Sequence, residues 1–407
     1  MSMNEPPKGE RLHIGLFGRR NAGKSSILNA LTGQNLAIVS DIAGTTTDPV
    51  QKAMELLPLG PVVFIDTPGL DDEGELGNKR IEKSYQALAK TDLALLIIDS
   101  TTGKTSEDAL IEQKIKEKHI PYLCIYNKCD LMTVVSETST MSETNTATSN
   151  TIHVSTVTKE NIHALKNRIA AMGTELLQEK EVPIVKDLVT AGDVVILVVP
   201  IDKAAPKGRL ILPQQQTIRE LLDAGAHTMV VRDSELADTF PKLSCKPRLV
   251  ITDSQAFEKV DQIVPKDVLL TSFSILMARH KGNFEDALKG VTALSNITDD
   301  SHILICEGCS HHRQCGDIGT EKMPAWIRNF TKKSPRFSWT SGTEFPSDLS
   351  PYDMIIHCGG CMLNEREMCH RYNCASMANV PMTNYGLAIS YMHGILERST
   401  EVLKSLS

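Results

Sequence analysis

Residues 18 to 25 read Gly-Arg-Arg-Asn-Ala-Gly-Lys-Ser, and no other stretch so narrows what this chain can fold into. The octet follows an apolar run, His13 to Phe17, and opens a helical pattern from Lys24 to Leu31. Strand, glycine loop and helix in that succession form a phosphate cradle: glycines let backbone N–H groups close on an anion, and the helix N-terminus adds its positive end. Gly18, Asn21, Ala22, Gly23 and Ser26 would line such a loop. Lys24 would supply a point charge to the β- and γ-phosphates, and Ser25 a hydroxyl to magnesium.

The pattern alone also arises by chance, but two further signatures stand at the right distances. Asp66-Thr-Pro-Gly69 ends the apolar run Val62 to Ile65, so that Asp66 can hold the magnesium shell and the Gly69 amide can sense the γ-phosphate. Asn127-Lys128-Cys-Asp130 ends the run Tyr122 to Tyr126. The Asp130 carboxylate would accept from N1–H and the 2-amino group of guanine, a donor pair that adenine lacks, so the predicted nucleotide is GTP. Ser155 is expected behind the base. Within Gly44-Thr45-Thr46-Thr47-Asp48 one threonine is expected to close on magnesium beside Ser25; the register leaves Thr45 and Thr46 both open. Lys24, Thr46, Asp66 and Gly69 are the expected hydrolytic set.

These motifs resemble the translation-factor-related GTPases that include the tRNA-modifying (TrmE) and ribosome-assembly (Era) enzymes. Leu70 follows Gly69, so the usual water-positioning glutamine is missing and a slow intrinsic rate is expected. In the related potassium-stimulated GTPases an asparagine placed like Asn21 helps hold a monovalent cation. The alternative for Asn21 is a plain loop former.

At 407 residues the chain exceeds what one core usually supports. The expected architecture is α/β: a doubly wound P-loop GTPase sheet over 1–177, then two smaller α/β domains, 183–265 and 266–407. Leu93 to Asp99 and Ile152 to Val154 complete the first set of strands, and Val134 to Asn150, dense in Ser, Thr and Asn, reads as a surface insertion. Gln178 to Glu181 followed by Pro183 marks the first boundary. The middle segment has strands at Asp193 to Val199 and Thr228 to Val231 around a helix at Gln214 to Asp223, with no catalytic constellation; it reads as a packing or oligomerisation module. The last third has strands at Val268 to Ser272, His302 to Cys306 and Met354 to Cys358, and helical patterns at Ser274 to Arg279 and Pro324 to Phe330.

Of ten cysteines, seven fall from Cys306 to Cys374, and that clustering points to metal rather than disulfides if the protein is intracellular. No apolar run of about 18 residues is present to span a bilayer, and the start of the chain does not read as a secretory leader. A soluble cytoplasmic protein is therefore expected, with a hydrogenosome-like organelle as the alternative in an anaerobic eukaryote. The last third carries Cys306-Glu-Gly-Cys309-Ser-His311-His312 and then His357-Cys358-Gly-Gly-Cys361, with 45 residues between His311 and His357. Two metal readings fit. Cys306, Cys309, Cys358 and Cys361 would close a tetrahedral zinc site. Cys309, Cys358 and Cys361 would instead hold a 4Fe-4S cluster with one exchangeable position, for which His311 or His357 is a candidate.

The whole arrangement resembles the FeFe-hydrogenase maturation GTPases, the HydF family: an N-terminal GTPase, a middle dimerisation domain, and a C-terminal Cys-x-His followed at about this distance by His-Cys-x-x-Cys. Ala205-Pro-Lys-Gly-Arg-Leu-Ile-Leu-Pro213 and Thr271-Ser-Phe-Ser-Ile-Leu276 also look like the family. The resemblance implies a homodimeric scaffold or carrier for the transient di-iron subcluster, partnered by apo FeFe-hydrogenase and two radical-SAM maturases. Cys306 and Cys315 leave the ligand set open, while Cys369 and Cys374 read as bystanders. The competing function is a regulatory GTPase acting on RNA or ribosomes with a structural zinc domain. A net charge of -7 and the lack of a basic aromatic patch count against nucleic acid.

Overall fold

The computed structural model describes residues 8–33, 50–67, 84–132, 150–179, 182–201, 210–309, 317–342 and 344–404, in two compact units, 1–181 and 182–407. The first unit is built on a six-stranded sheet. Its spatial order is β2 (Val50–Leu56), β3 (Gly60–Asp66), β1 (Leu12–Phe17), β4 (Leu93–Asp99), β5 (Tyr122–Asn127) and β6 (Thr151–His153). All neighbours are parallel except β2, which runs antiparallel along β3.

A parallel sheet is covered on both faces, which is why its strands read as unbroken apolar runs. In β4 the two faces separate residue by residue. Leu93, Leu95 and Ile97 enter one core with Ile27, Leu28 and Leu31 of helix α1 (Lys24–Thr32), while Ala94, Leu96 and Ile98 enter the other with Ile111 and Ile115 of the helix Ser106–Glu117. Strand β2 was not expected. It is an edge strand whose exposed Gln51, Ala53 and Glu55 alternate with more sheltered Lys52 and Met54, too polar a run to stand out.

The second unit holds two four-stranded parallel sheets. One has the order β10 (Leu269–Ser272), β9 (Leu249–Thr252), β7 (Val194–Val198), β8 (His227–Val231); the other β12 (Arg336–Ser341), β11 (His302–Glu307), β13 (Met354–His357), β14 (Met382–Asn384). The boundary read at 265/266 falls between β9 and β10, yet these strands pair in register from Leu249↔Leu269 to Thr252↔Ser272. A single buried core runs from Ile184 to Leu403, so the middle and last segments pack as one body. The expected insertion Val134 to Asn150 lies outside the described residues apart from Asn150. Among the described residues no helix is long and apolar enough to cross a membrane.

Candidate functional site

In the first unit, β1 delivers the glycine loop into α1. Gly23 sits at φ +98°, and a Cβ there would overlap Asn127 Nδ2, so only glycine lets the loop pass so close to β5. Lys24 is buried and its Nζ donates to Gly18 O and Arg19 O, each at 2.8 Å, which arches the loop around the ammonium. Ser25 Oγ donates to Asp66 Oδ2 at 3.5 Å, bringing together the hydroxyl and carboxylate expected at magnesium. Burial pushes the Asp66 carboxyl up, against the opposing charges of Lys24 and Lys52. An oxygen-only pair under strain from desolvation suits a hard divalent cation. Thr67 Oγ1 donates to Leu16 O at 2.6 Å and anchors the turn after β3.

The base-reading motif leaves β5 at its carboxyl end, beside that loop. Asn127 is buried, and its Nδ2 donates to Ala22 O at 3.1 Å, tying base recognition to the phosphate loop. Lys128 adopts φ +65° and its Nζ reaches Asp99 Oδ2 at 2.6 Å. Asp130 is exposed, its carboxylate open to a ligand. Buried Ser155 accepts from Val157 N at 3.2 Å and Thr158 N at 3.1 Å, which shapes the turn behind the motif. Asn21 is exposed at φ +60°, a conformation asparagine tolerates better than most residues. Ser26 lies in the first turn of α1. Thr45, Thr46, Gly69, Leu70, His311, His312 and Cys315 lie outside the described residues. The Asp99–Lys128 pair was not anticipated; no sequence spacing links positions on separate strands.

In the second unit, β11 and β13 are neighbours, with Cys306 opposite His357, so both cysteine motifs leave the same sheet edge side by side. Cys358 N donates to Cys306 O at 2.8 Å, while Cys358 Sγ accepts from Gly308 N at 3.1 Å and Gly360 N at 3.4 Å. Two N–H donors on one sulfur favour a thiolate, as does an electron-rich metal–sulfur bond. Gly360 stands at φ +65° with a would-be Cβ 2.7 Å from Met368 Sδ, so glycine is required for this turn. Burial pushes the Cys358 thiol up, and pushes Cys361 up to about 12. Among the described residues no three His, Cys, Asp or Glu side chains are already gathered as a metal site. The donor set nevertheless fits a thiolate-bound iron–sulfur group: paired cysteines on adjacent strand ends and N–H groups aimed at sulfur.

Two candidate ligands look different once placed. Cys306 is fully buried inside β11, whereas Cys309, Cys358 and Cys361 are only half-buried beyond the strand ends, so its place suits a core residue better than the fourth thiolate of a zinc site. His357 is also fully buried, and both ring nitrogens are engaged: Nε2 with Arg371 at 2.9 Å and Nδ1 with Cys358 O at 2.8 Å. Contrary to the expectation that it could ligate iron, His357 as arranged has no lone pair to offer. Cys369 Sγ lies 3.8 Å from Lys281 O, and Cys374 Sγ 3.6 Å from His370 Nε2. Arg371, buried on the helix Glu365–Met377, was missed because that helix reads as polar throughout.

Phosphate loop, base-reading motif and doubly wound sheet define a P-loop GTPase domain, here followed by a second α/β unit with cysteines at its strand ends. A model for the 50S ribosome-binding GTPase matches residues 13–128, and models for the hydrogen maturase F dimerization and tetramerization domains match 184–282 and 285–402. The chain belongs to the hydrogen maturase F (HydF) family. Curated relatives match the first unit: the tRNA modification GTPase MnmE of Chromobacterium violaceum is 43% identical over 123 residues, covering 30% of this chain and 27% of the relative. GTPase Der of Kosmotoga olearia is 34% identical over 134 residues, covering 31% and 30%. The chain thus spans less than a third of the length of these two relatives. Among solved structures, Aquifex aeolicus Era bound to GDP.AlF4- is 20% identical, with 62% of this chain and 97% of that one covered and a TM-score of 0.34.

Proposed function

We propose that this protein is a GTP-binding, GTP-hydrolysing scaffold that assembles and delivers the di-iron subcluster of FeFe-hydrogenase, holding a 4Fe-4S cluster in its second unit. The observation that carries the reading is the cradle at the ends of β11 and β13, where Gly308 N and Gly360 N converge on Cys358 Sγ, in a chain of the maturase family that also has a GTPase domain. Cys309, Cys358 and Cys361 are the proposed iron ligands, and His311 is the remaining histidine candidate for the open position. When bound, the cluster supplies an iron with an exchangeable coordination site. The chain's own part is to fix three thiolates and to hold the half-buried sulfur of Cys358 with backbone N–H groups.

In the GTPase unit Lys24, Ser25 and Asp66 would bind the phosphates and magnesium, with Thr46 and Gly69 completing the hydrolytic set, and Asn127, Asp130 and Ser155 would read guanine. Without a water-positioning glutamine at Leu70, intrinsic hydrolysis is slow, and potassium at Asn21 accelerates it. Apo FeFe-hydrogenase and the two radical-SAM maturases are the proposed partners. The proposed assembly is a homodimer through the middle segment in the cytoplasm, and neither membrane nor nucleic acid takes part.

Anaerobic iron, sulfide and zinc analysis, with EPR of the reduced protein, tests the cluster. A four-iron signal in the native chain that is lost in Cys358→Ala and Cys361→Ala proteins is expected. One zinc per chain with no cluster after reconstitution would overturn the reading.

A further inference from the structure

Beneath the cysteine loop lies a buried polar chain that neither unit's packing explains. Arg371 is 1% exposed, yet its guanidinium makes three hydrogen bonds: Nη1 to His357 Nε2 at 2.9 Å, Nη2 to Glu367 Oε1 at 2.8 Å, and Nη2 to Gly342 O at 3.0 Å. Its Cζ stands 5.2 Å from the centre of the Phe345 ring. Apolar residues of similar volume fill such a space with equal or better stability, since desolvating an ion pair offsets most of its attraction. A buried arginine retained next to a proposed metal loop therefore calls for a role other than packing.

The geometry supplies one. A guanidinium only donates, so His357 Nε2 must carry the lone pair and Nδ1 the proton, which is then donated to Cys358 O at 2.8 Å. The tautomer of His357 is thus set by Arg371, and the carbonyl of Cys358 is held from below. Gly308 N and Gly360 N hold the sulfur of the same residue. With its carbonyl and its sulfur both fixed, Cys358 has little freedom left in the direction of its Cβ–Sγ bond. The guanidinium charge behind the loop is balanced by the Glu367 carboxylate, so that removing it alone leaves a buried negative charge there.

We propose that Arg371 is a positioning residue for the iron–sulfur site: clamped by Glu367 and acting through His357, it aims the Cys358 thiolate and sets the electrostatic environment of the cluster. Hydrogen-bonded partners behind a ligand orient it and tune the metal's potential. A nearby positive charge stabilises the reduced, more negative state and so raises the potential. This inference rests on the iron–sulfur reading above.

The test uses the full-length chain, reconstituted anaerobically, as wild type and as Arg371→Lys, Arg371→Gln, His357→Phe and the core control Ile356→Val. Iron and sulfide content, thermal melting, the EPR spectrum of the reduced state and the midpoint potential by EPR-monitored titration are measured on each. Arg371→Gln should lower the midpoint potential and change the EPR line shape. Arg371→Lys, which keeps the charge but not the planar fork, should restore the potential in large part while the line shape stays altered. His357→Phe leaves the Arg371–Glu367 pair in place and should change the line shape without the full fall in potential. Ile356→Val should move only the melting temperature. If Arg371→Gln does not fold, the lysine and phenylalanine variants decide. Folded variants with wild-type potential and spectrum overturn the positioning role alone. A wild-type protein that takes up no four-iron cluster overturns the iron–sulfur reading and this inference with it.

Discussion

A methyl group at position 360 tests how tightly the cysteine loop is built. Backbone strain from φ +65° in a non-glycine residue costs about 1–3 kcal/mol, and the added Cβ must also displace Met368. Gly360→Ala is therefore expected to lower the melting temperature by several degrees and to reduce iron retained after reconstitution, read by calorimetry and iron assay. At the other site, Asp130 is exposed and is the proposed acceptor for guanine. Asp130→Ala should leave the melting temperature of the apo protein unchanged. Losing charge-assisted hydrogen bonds worth about 1.5–3 kcal/mol should weaken GTP binding about 10- to 100-fold. Calorimetric titration with GTP and ATP would decide: an unchanged preference for GTP in the variant removes Asp130 from base recognition. Single residues of this kind stand out in the sequence because each motif carries its own chemistry: a lysine in a glycine loop, an aspartate after an asparagine, cysteines with two residues between them. Arg371 and the Asp99–Lys128 pair were not, because their partners are brought together only by strand order and helix docking.

Elements divide in the same way. Strands β4, β5, β7, β11 and β13 declared themselves as apolar runs, being buried on both faces, whereas the edge strand β2 and the peripheral β12 alternate or stay polar and blend into loops. The boundary read at 265/266 shows what periodicity leaves out: β10 looks like the start of a new domain until its pairing with β9 is known. At the opposite edge of that sheet, β8 has one side unpaired among the described residues, with Met229 38% and Val230 46% exposed. Unpaired apolar edges invite another strand. If the homodimer forms there, Val230→Lys should give monomers by light scattering, and a dimer of unchanged affinity would exclude β8. The C-terminal helix Leu396–Lys404 is fastened to helix Phe257–Ile263 by Arg398, which pairs with Asp261 and also donates to Val264 O at 2.9 Å. Burial pushes the Asp261 carboxyl up, but hydrogen bonds from Lys266 and Arg398, with their charges, outweigh it and hold the group below its ordinary value. A depressed folded-state value means the stabilisation is fully present above the unfolded carboxylate value of about 3.9 and is lost as pH falls through the folded one. Asp261→Asn should thus melt below wild type at pH 7, and the gap should close in acid below about pH 4. A gap that persists there would assign the effect to packing.

For the molecule as a whole the question is what a GTPase would contribute to the proposed metal-carrying unit encoded in the same chain. Hydrolysis supplies no electron, iron or ligand, so the nucleotide can act on cluster delivery only by having different affinities in the two states of something that partners recognise. We predict that GTP gates partner exchange and leaves cluster chemistry alone. Lys24 is the residue to remove, because its Nζ is held by Gly18 O and Arg19 O in position to meet phosphate, away from the cysteine motifs in sequence and in unit. Losing a charged phosphate clamp worth about 3–4 kcal/mol should cut GTP affinity by at least about 100-fold. The Lys24→Ala protein should nonetheless load iron and sulfide as the wild type does and give the same EPR spectrum, while failing to activate apo-hydrogenase. Linkage adds a second, independent reading: if GTP changes affinity for a partner by some factor, the partner must change affinity for GTP by the same factor. Titrating nucleotide into the wild-type protein with and without apo-hydrogenase measures that factor directly. A Lys24→Ala chain that matures hydrogenase fully, with nucleotide affinity unaffected by the partner, would remove the gate and leave the two units as separate activities on one polypeptide.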